Sequence, residues 1–169
     1  YTTCAVLGYR ANGKIDVLYG ERFLQPHDHI GEARHLLQVF NAFNCHVFAH
    51  DYNGAGTTRE TIMVQAGLEI DRVMPIVYYR SAASNVMVYK PPVDTHPRNY
   101  WQLDKARSLV TTCQAIKLGV IRFFQYDHID MDNPGLLHDF LALVEHKVAT
   151  TRGPEIYTIQ RNPHFSDDF

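Results

Sequence analysis

The chain has 169 residues, 46% of them hydrophobic, with a formal net charge of −2 and three cysteines. That length suits one domain with a sizeable core, and so small a net charge excludes a uniformly basic nucleic-acid binder. No apolar run is long enough to span a bilayer and no signal peptide opens the chain.

Cys4, Cys45 and Cys113 are widely separated and each lies in an apolar segment, which predicts buried thiols in a reducing compartment, with no zinc site and no disulfide framework. The charges are unevenly spread. Residues 72 to 122 hold eight basic residues against Asp94 and Asp104, a net of +6, whereas the rest of the chain holds eight basic residues against sixteen acids. A positive middle with acidic flanks suits a polyanion groove beside a cation site; the plainer reading is solvated surface.

In chain order, residues 1 to 10 read as a strand with Ala5, Leu7 and Tyr9 on one face. Asn12-Gly13 signals a hairpin, and residues 15 to 23 form its second strand, with Ile15, Val17 and Tyr19 facing one way. Asp28 can cap the helix that follows, where Ile30, Ala33, Leu37 and Phe40 recur at helical spacing and Leu36 and Phe43 widen the stripe. His27, His29 and His35 flank its cap and polar side and give no metal pattern.

The central stretch is residues 45 to 60. A strand over 45–51 ends in Asp51, with Val47, Ala49 and Asp51 on one face and His46, Phe48 and His50 on the other. Asn53, Gly54 and Gly56 allow a sharp turn, and Thr57 with Glu60 has the spacing of a capping box for a helix from Thr58 to Ala66, stopped at Gly67. A carboxylate at the carboxyl end of a buried strand is where open α/β sheets place their chemistry. The competing reading is a turn-forming aspartate.

Residues 72 to 79 form the next strand, at an edge or a bulge because of Pro75. A short strand over Val86–Tyr89 and a loop from Pro91 to Arg98 follow, an excursion whose Arg80, Lys90 and Arg98 can reach a phosphate backbone. Trp101 anchors the base of a helix from Asp104 to Leu118, with Leu109, Val110, Cys113 and Ile116 inward and Gly119 as its stop. Val120–Phe124 is a strand. Asp130, Asp132 and Gly135 resemble part of a calcium loop, but the twelfth position is Leu141 instead of glutamate, which rejects it. Leu137, Phe140, Leu141, Val144 and Val148 predict an amphipathic helix, Glu155–Ile159 a last strand, and Ser166 with Asp167 and Asp168 the start of a final helix. An opening hairpin followed by alternating helices and strands predicts an α/β fold: a mixed sheet, antiparallel first and parallel later, with helices on both faces.

Phosphate-loop, dinucleotide, GxSxG and HExxH motifs are all missing. What remains is a set of carboxylates. Phosphodiester hydrolysis needs an activated water and relief of charge on the leaving oxygen, which two Mg²⁺ or Mn²⁺ ions about 4 Å apart supply. Two carboxylates about 4 Å apart repel by roughly 4 kcal/mol at an effective dielectric near 20, so convergent acids imply a cation or raised pKa values.

Three segments carry a family resemblance: His50-Asp51-Tyr52-Asn53-Gly54-Ala55-Gly56 with the strand Arg72–Tyr79; Trp101–Arg107 with Ile116–Gly119; and His164–Phe169. Their order and spacing resemble the nuclease domain of the large terminase subunit of tailed double-stranded DNA bacteriophages, which has a ribonuclease-H-like fold. The resemblance covers nearly the whole chain. It implies a single nuclease-like domain over 1–169, cut short at both ends, with the family's first strand and its acid upstream of Tyr1 and most of the last helix missing. It also implies that Asp51 and Asp168, or Asp167, are catalytic metal ligands for Mg²⁺ or Mn²⁺, in a two-metal site. Arg80, Lys90, Arg98 and Lys105 are the candidate contacts to double-stranded DNA. The implied activity is endonucleolytic cutting of viral DNA concatemers during genome packaging, in the host cytoplasm, alongside an upstream ATPase domain, a small terminase subunit and a portal, with no membrane. The alternatives are another ribonuclease-H-like nuclease (an integrase or junction resolvase) and a non-catalytic packaging or docking module.

Overall fold

The Asn12-Gly13 turn does what its residues predict. Gly13 takes φ +79°, its amide bonds Arg10 O at 2.9 Å, and Lys14 N donates to the Asn12 side chain at 3.2 Å. Strands β1 (Thr2–Tyr9) and β2 (Ile15–Phe23) pair antiparallel around it, with a register shift between Val6 and Leu7. A computed structural model describes residues 2–23, 28–79 and 85–123, and the backbone of 143–148 and 156–161. The chain is an α/β fold with mixed sheets, divided into two compact units: residues 1–24 with 109–169, and residues 25–108.

In the first unit β7 (Ile121–Phe123) adds parallel to β2, giving the order β1-β2-β7. Asp16 on β2 ties this sheet together, accepting from Arg10 and, at 3.0 Å, from Arg122. The Arg10 hydrogen bond, with Arg122 in support, holds its carboxyl below the ordinary range. Val6 is buried on β1, and Leu7 and Tyr9, read as sharing a face, are 62% and 78% exposed.

The helix expected over 137–148 is corrected where it is described. Leu143–Val148 is a strand, β8, paired antiparallel with β9 (Ile156–Arg161) from Leu143↔Arg161 to Val148↔Ile156. Val144 and Val148 stand four apart, a spacing that shares a face in both a helix and a strand, so periodicity could not separate the two.

The second unit holds a four-stranded sheet ordered β3-β4-β6-β5: β3 (Phe48–Asp51), β4 (Val73–Tyr79), β5 (Met87–Lys90) and β6 (Tyr100–Asp104). The first two pairs are parallel and β5 runs antiparallel to β6. Three expectations change here. Among the described strands β3 comes at one end of this sheet's order, and the Val47, Ala49 and Asp51 face is exposed. Trp101 lies within a strand, β6, and packs against Tyr89 with ring centroids 4.9 Å apart. Pro75 lies on an inner strand. Ile76 O accepts from Tyr52 N at 2.7 Å, so Ile76 turns its polar groups to β3 and Pro75 turns its nitrogen the other way. Pairing with β6 begins only at Ile76, so the missing N–H falls outside that ladder.

Helix α1 (His29–Ala42) starts at the Asp28 cap, whose carboxylate accepts from Gly31 N at 2.9 Å. Its inward face is Glu32, Ala33, Leu36, Val39 and Phe40, while the expected Ile30 and Phe43 are 53% and 41% exposed. Glu32 on this inward face is buried and accepts from Arg59 of α2 (Ala55–Gln65) at 2.6 Å. Helix α2 ends in a Schellman turn at Gly67, φ +107°, over the wholly buried Met63. Helix α3 (Lys105–Lys117) follows β6 directly. Asp104 caps it through Arg107 N at 3.0 Å, and Gly119, φ +66°, closes it. The three cysteines are half-buried, not fully buried as expected.

Candidate functional site

The turn that leaves β3 is built on glycine. Asp51 Oδ1 accepts two hydrogen bonds, from Asn53 N at 3.0 Å and Asn53 Nδ2 at 2.9 Å. Gly54 takes φ +53°, ψ −123°, a conformation that strains other residues. Gly56 then passes so close to the strand end that an added Cβ would lie 1.7 Å from the Asp51 carbonyl oxygen. This backbone contact brings the first turn of α2 against the end of β3.

No capping box forms. Helix α2 begins at Ala55, earlier than expected, with no side chain capping it, and the Thr57 hydroxyl donates back to Gly54 O at 2.9 Å. Glu60 is thereby free for another role. It lies on the buried stripe Gly56, Glu60, Met63, and its carboxylate faces the His50 ring, Nε2 to Oε2 2.6 Å. Arg98, between β5 and β6, donates to its other oxygen, Oε1, and reaches Ile70 O at 3.4 Å. The His50 and Glu60 side chains are 8% and 9% exposed and Arg98 is 30% exposed. Burial pushes the Glu60 carboxyl pKa up, but the His50 hydrogen bond and the Arg98 charge outweigh burial and hold it below the ordinary value.

His50 Nδ1 lies 2.9 Å from the Asp51 carbonyl oxygen, which can only accept, so that nitrogen carries the hydrogen. Two aromatic rings also flank the imidazole. Phe48 stacks on it at 5.5 Å and Tyr52 meets it edge-on at 5.9 Å. Tyr52 continues to His96 at 5.3 Å, and His96 to Tyr100 at 4.8 Å. Burial, and then the Glu60 charge, push the Tyr52 phenol up.

The predicted residues fall in different places. Asp51 is exposed at the carboxyl end of β3. The Tyr78 phenol on β4 is pushed up by desolvation first and by the Asp51 carboxylate second, so the two share a local field. Asp167 and Asp168, with His164, lie outside the described residues, as does Arg80. Lys90 is half-buried at the end of the edge strand β5, and Lys105 is exposed at the start of α3. Arg98, expected on a phosphate backbone, is engaged by Glu60.

Among the described residues no three His, Cys, Asp or Glu side chains come together to hold a metal ion. Asp51 fits such an ion as one ligand: both hydrogen bonds it accepts fall on Oδ1, leaving Oδ2 as a hard oxygen donor. An open cleft of about 590 Å³, lined by Val47, Ile70, Met74, Pro92, Tyr89 and Trp101, lies where the parallel strands begin, at the other end from Asp51. It is therefore no part of the Asp51 site.

Sequence reading did not find the His50–Glu60–Arg98 group. The available signal was an acid at i+4 between Gly56 and Met63 on a helix, matched by a histidine on the inward-facing alternation of β3. No family model, no curated protein and no solved structure matches the chain. No described helix is long and apolar enough to cross a membrane.

Proposed function

We propose that the chain is a divalent-metal-dependent endonuclease with a ribonuclease-H-like fold, resembling the nuclease domain of a phage large terminase subunit, that cuts double-stranded DNA concatemers during genome packaging. One observation carries the reading. An exposed carboxylate, Asp51, ends a parallel strand and is held there by a glycine-built turn into a helix. This is the position at which open α/β sheets gather their reactive groups.

Asp51 would hold Mg²⁺ or Mn²⁺ together with Asp168 or Asp167 from the last segment. When bound, the ions supply an activated water and stabilise the leaving oxygen. The chain's own residues orient and exclude. The Asn53 hydrogen bonds hold Oδ1, and the buried Tyr52 and Tyr100 shield the inner side of the turn. Of the four candidate cations, Lys90 and Lys105 remain for the phosphate backbone, with Arg80 as a third. The setting is the host cytoplasm, with an upstream ATPase domain, a small terminase subunit and a portal as partners.

Plasmid cleavage tests this. Nicking and linearisation are expected in Mn²⁺, none in EDTA, and none with Asp51→Asn. Cleavage of four-way junctions in preference to linear duplex would instead favour a resolvase. A second reading has its own support: the two bonds from Asn53 to Asp51 Oδ1 form an Asx turn, which a non-catalytic docking module would also need. Calorimetry with Mn²⁺ that records no heat, or heat unchanged by Asp51→Asn, selects that reading.

A further inference from the structure

Three elements of the second unit meet on one side chain. Glu60 comes from α2, His50 from β3 and Arg98 from the connection between β5 and β6. Two of the three side chains are more than nine-tenths buried. A buried carboxylate is costly unless both oxygens are satisfied, and here each oxygen has its own partner. The relay continues through the imidazole, whose Nδ1–H reaches the carbonyl of Asp51 at 2.9 Å. That carbonyl is also the atom against which Gly56 is packed. The strand end is thus gripped twice, once by backbone contact and once by the ring that Glu60 orients.

We propose that Glu60 is a positioning residue for Asp51: through His50 it fixes the peptide that carries the carboxylate, and it takes Arg98 as its second partner, away from nucleic acid. This rests on the reading of Asp51 as a metal ligand. Glu60 touches neither metal nor substrate. Its role matches that of the outer groups which orient ligands at metal centres, where removal commonly weakens metal binding by about 10-fold to 100-fold.

The test is Mn²⁺ affinity of the 169-residue chain by calorimetry, at a temperature where every variant is folded by circular dichroism. Glu60→Ala is expected to weaken Mn²⁺ about tenfold or more. Glu60→Gln, whose amide can still hydrogen-bond His50 Nε2 and accept from Arg98, is expected to stay within about threefold of the wild type. Glu32→Gln is the structural control: Glu32 is equally buried and is paired with Arg59. It should lose stability without losing Mn²⁺ affinity. Where Glu60→Ala fails to fold, His50→Phe carries the same expectation, since phenylalanine keeps the stack on Phe48 and cannot donate to Asp51. In spectra of ¹⁵N-histidine-labelled protein, the His50 ring N–H should persist in Glu60→Gln and exchange with water in Glu60→Ala. Wild-type affinity in both Glu60→Ala and His50→Phe overturns the inference, as does an equal loss in Glu32→Gln. Mn²⁺ binding unchanged by Asp51→Asn overturns the metal reading itself, and the inference with it.

Discussion

Gly56 and the carbonyl of Asp51 occupy neighbouring space that no side chain can share: a Cβ at 56 would lie 1.7 Å from that oxygen and 3.1 Å from His50 Nδ1. The obstacle is backbone, so a rotamer change cannot relieve it. Gly56→Ala should therefore destabilise by about 3 kcal/mol or more, the upper end of overpacking costs. Gly20→Ala, on β2 with nothing within 4 Å of its Cβ, should change stability by less than about 1 kcal/mol. Urea denaturation of the two variants checks the contrast.

Acid should weaken the second unit through Glu60. Its folded pKa lies below the ordinary 4.5, despite burial, because His50 and Arg98 favour the charged form. A depressed carboxyl contributes stability in full above its unfolded pKa and loses it as the pH falls through the folded value. Glu60→Ala should cost about 3 kcal/mol at pH 7, at the low end for removing one partner of a buried pair because Arg98 stays part-exposed. The difference from wild type should shrink below pH 4.5. Unfolding measured from pH 3 to 7 decides it.

The phenol of Tyr78 reports on the charge of Asp51. Desolvation is the larger cause of its raised pKa, and the Asp51 carboxylate adds to it. Asp51→Asn should move the Tyr78 titration down, while leaving it above the ordinary 10.0. A cation bound at Asp51 should act in the same direction. A pH titration of ¹³C-labelled tyrosine, with the Tyr78 signal assigned from Tyr78→Phe, follows both effects.

Salt separates the basic residues. A side chain on a phosphate contributes close to one unit to the slope of log affinity against log salt. Lys105→Ala and Lys90→Ala should each reduce that slope by about one for duplex DNA. Arg98→Ala should leave the slope unchanged and lower the unfolding midpoint, because its guanidinium is held by Glu60. Filter binding between 50 and 200 mM salt measures this.

What the sequence determined by itself was local. The hairpin at Asn12-Gly13, the caps at Asp28 and Asp104, the stops at Gly67 and Gly119, and the turn from Asp51 to Gly56 each depend on residues a few positions apart. Steric and hydrogen-bonding preferences act over that range, whatever the rest of the chain does. The alternation that put Val47, Ala49 and Asp51 on one face was legible too, although which face met water was not.

Only the tertiary structure decided the partners. Glu60 has the spacing of a capping residue, yet its carboxylate goes to a histidine 10 residues before it and an arginine 38 residues after it. The same is true of Glu32, which lies on the inward face of α1 and meets a partner 27 residues away. It holds as well for the inner position of Pro75 and for β6, a strand the sequence reading passed over. Local propensities of ordinary residues span only about 1 kcal/mol, so a distant group can decide the outcome. A buried charge must find its counter-charge, or an open strand edge its neighbour, and that demand outweighs local propensity.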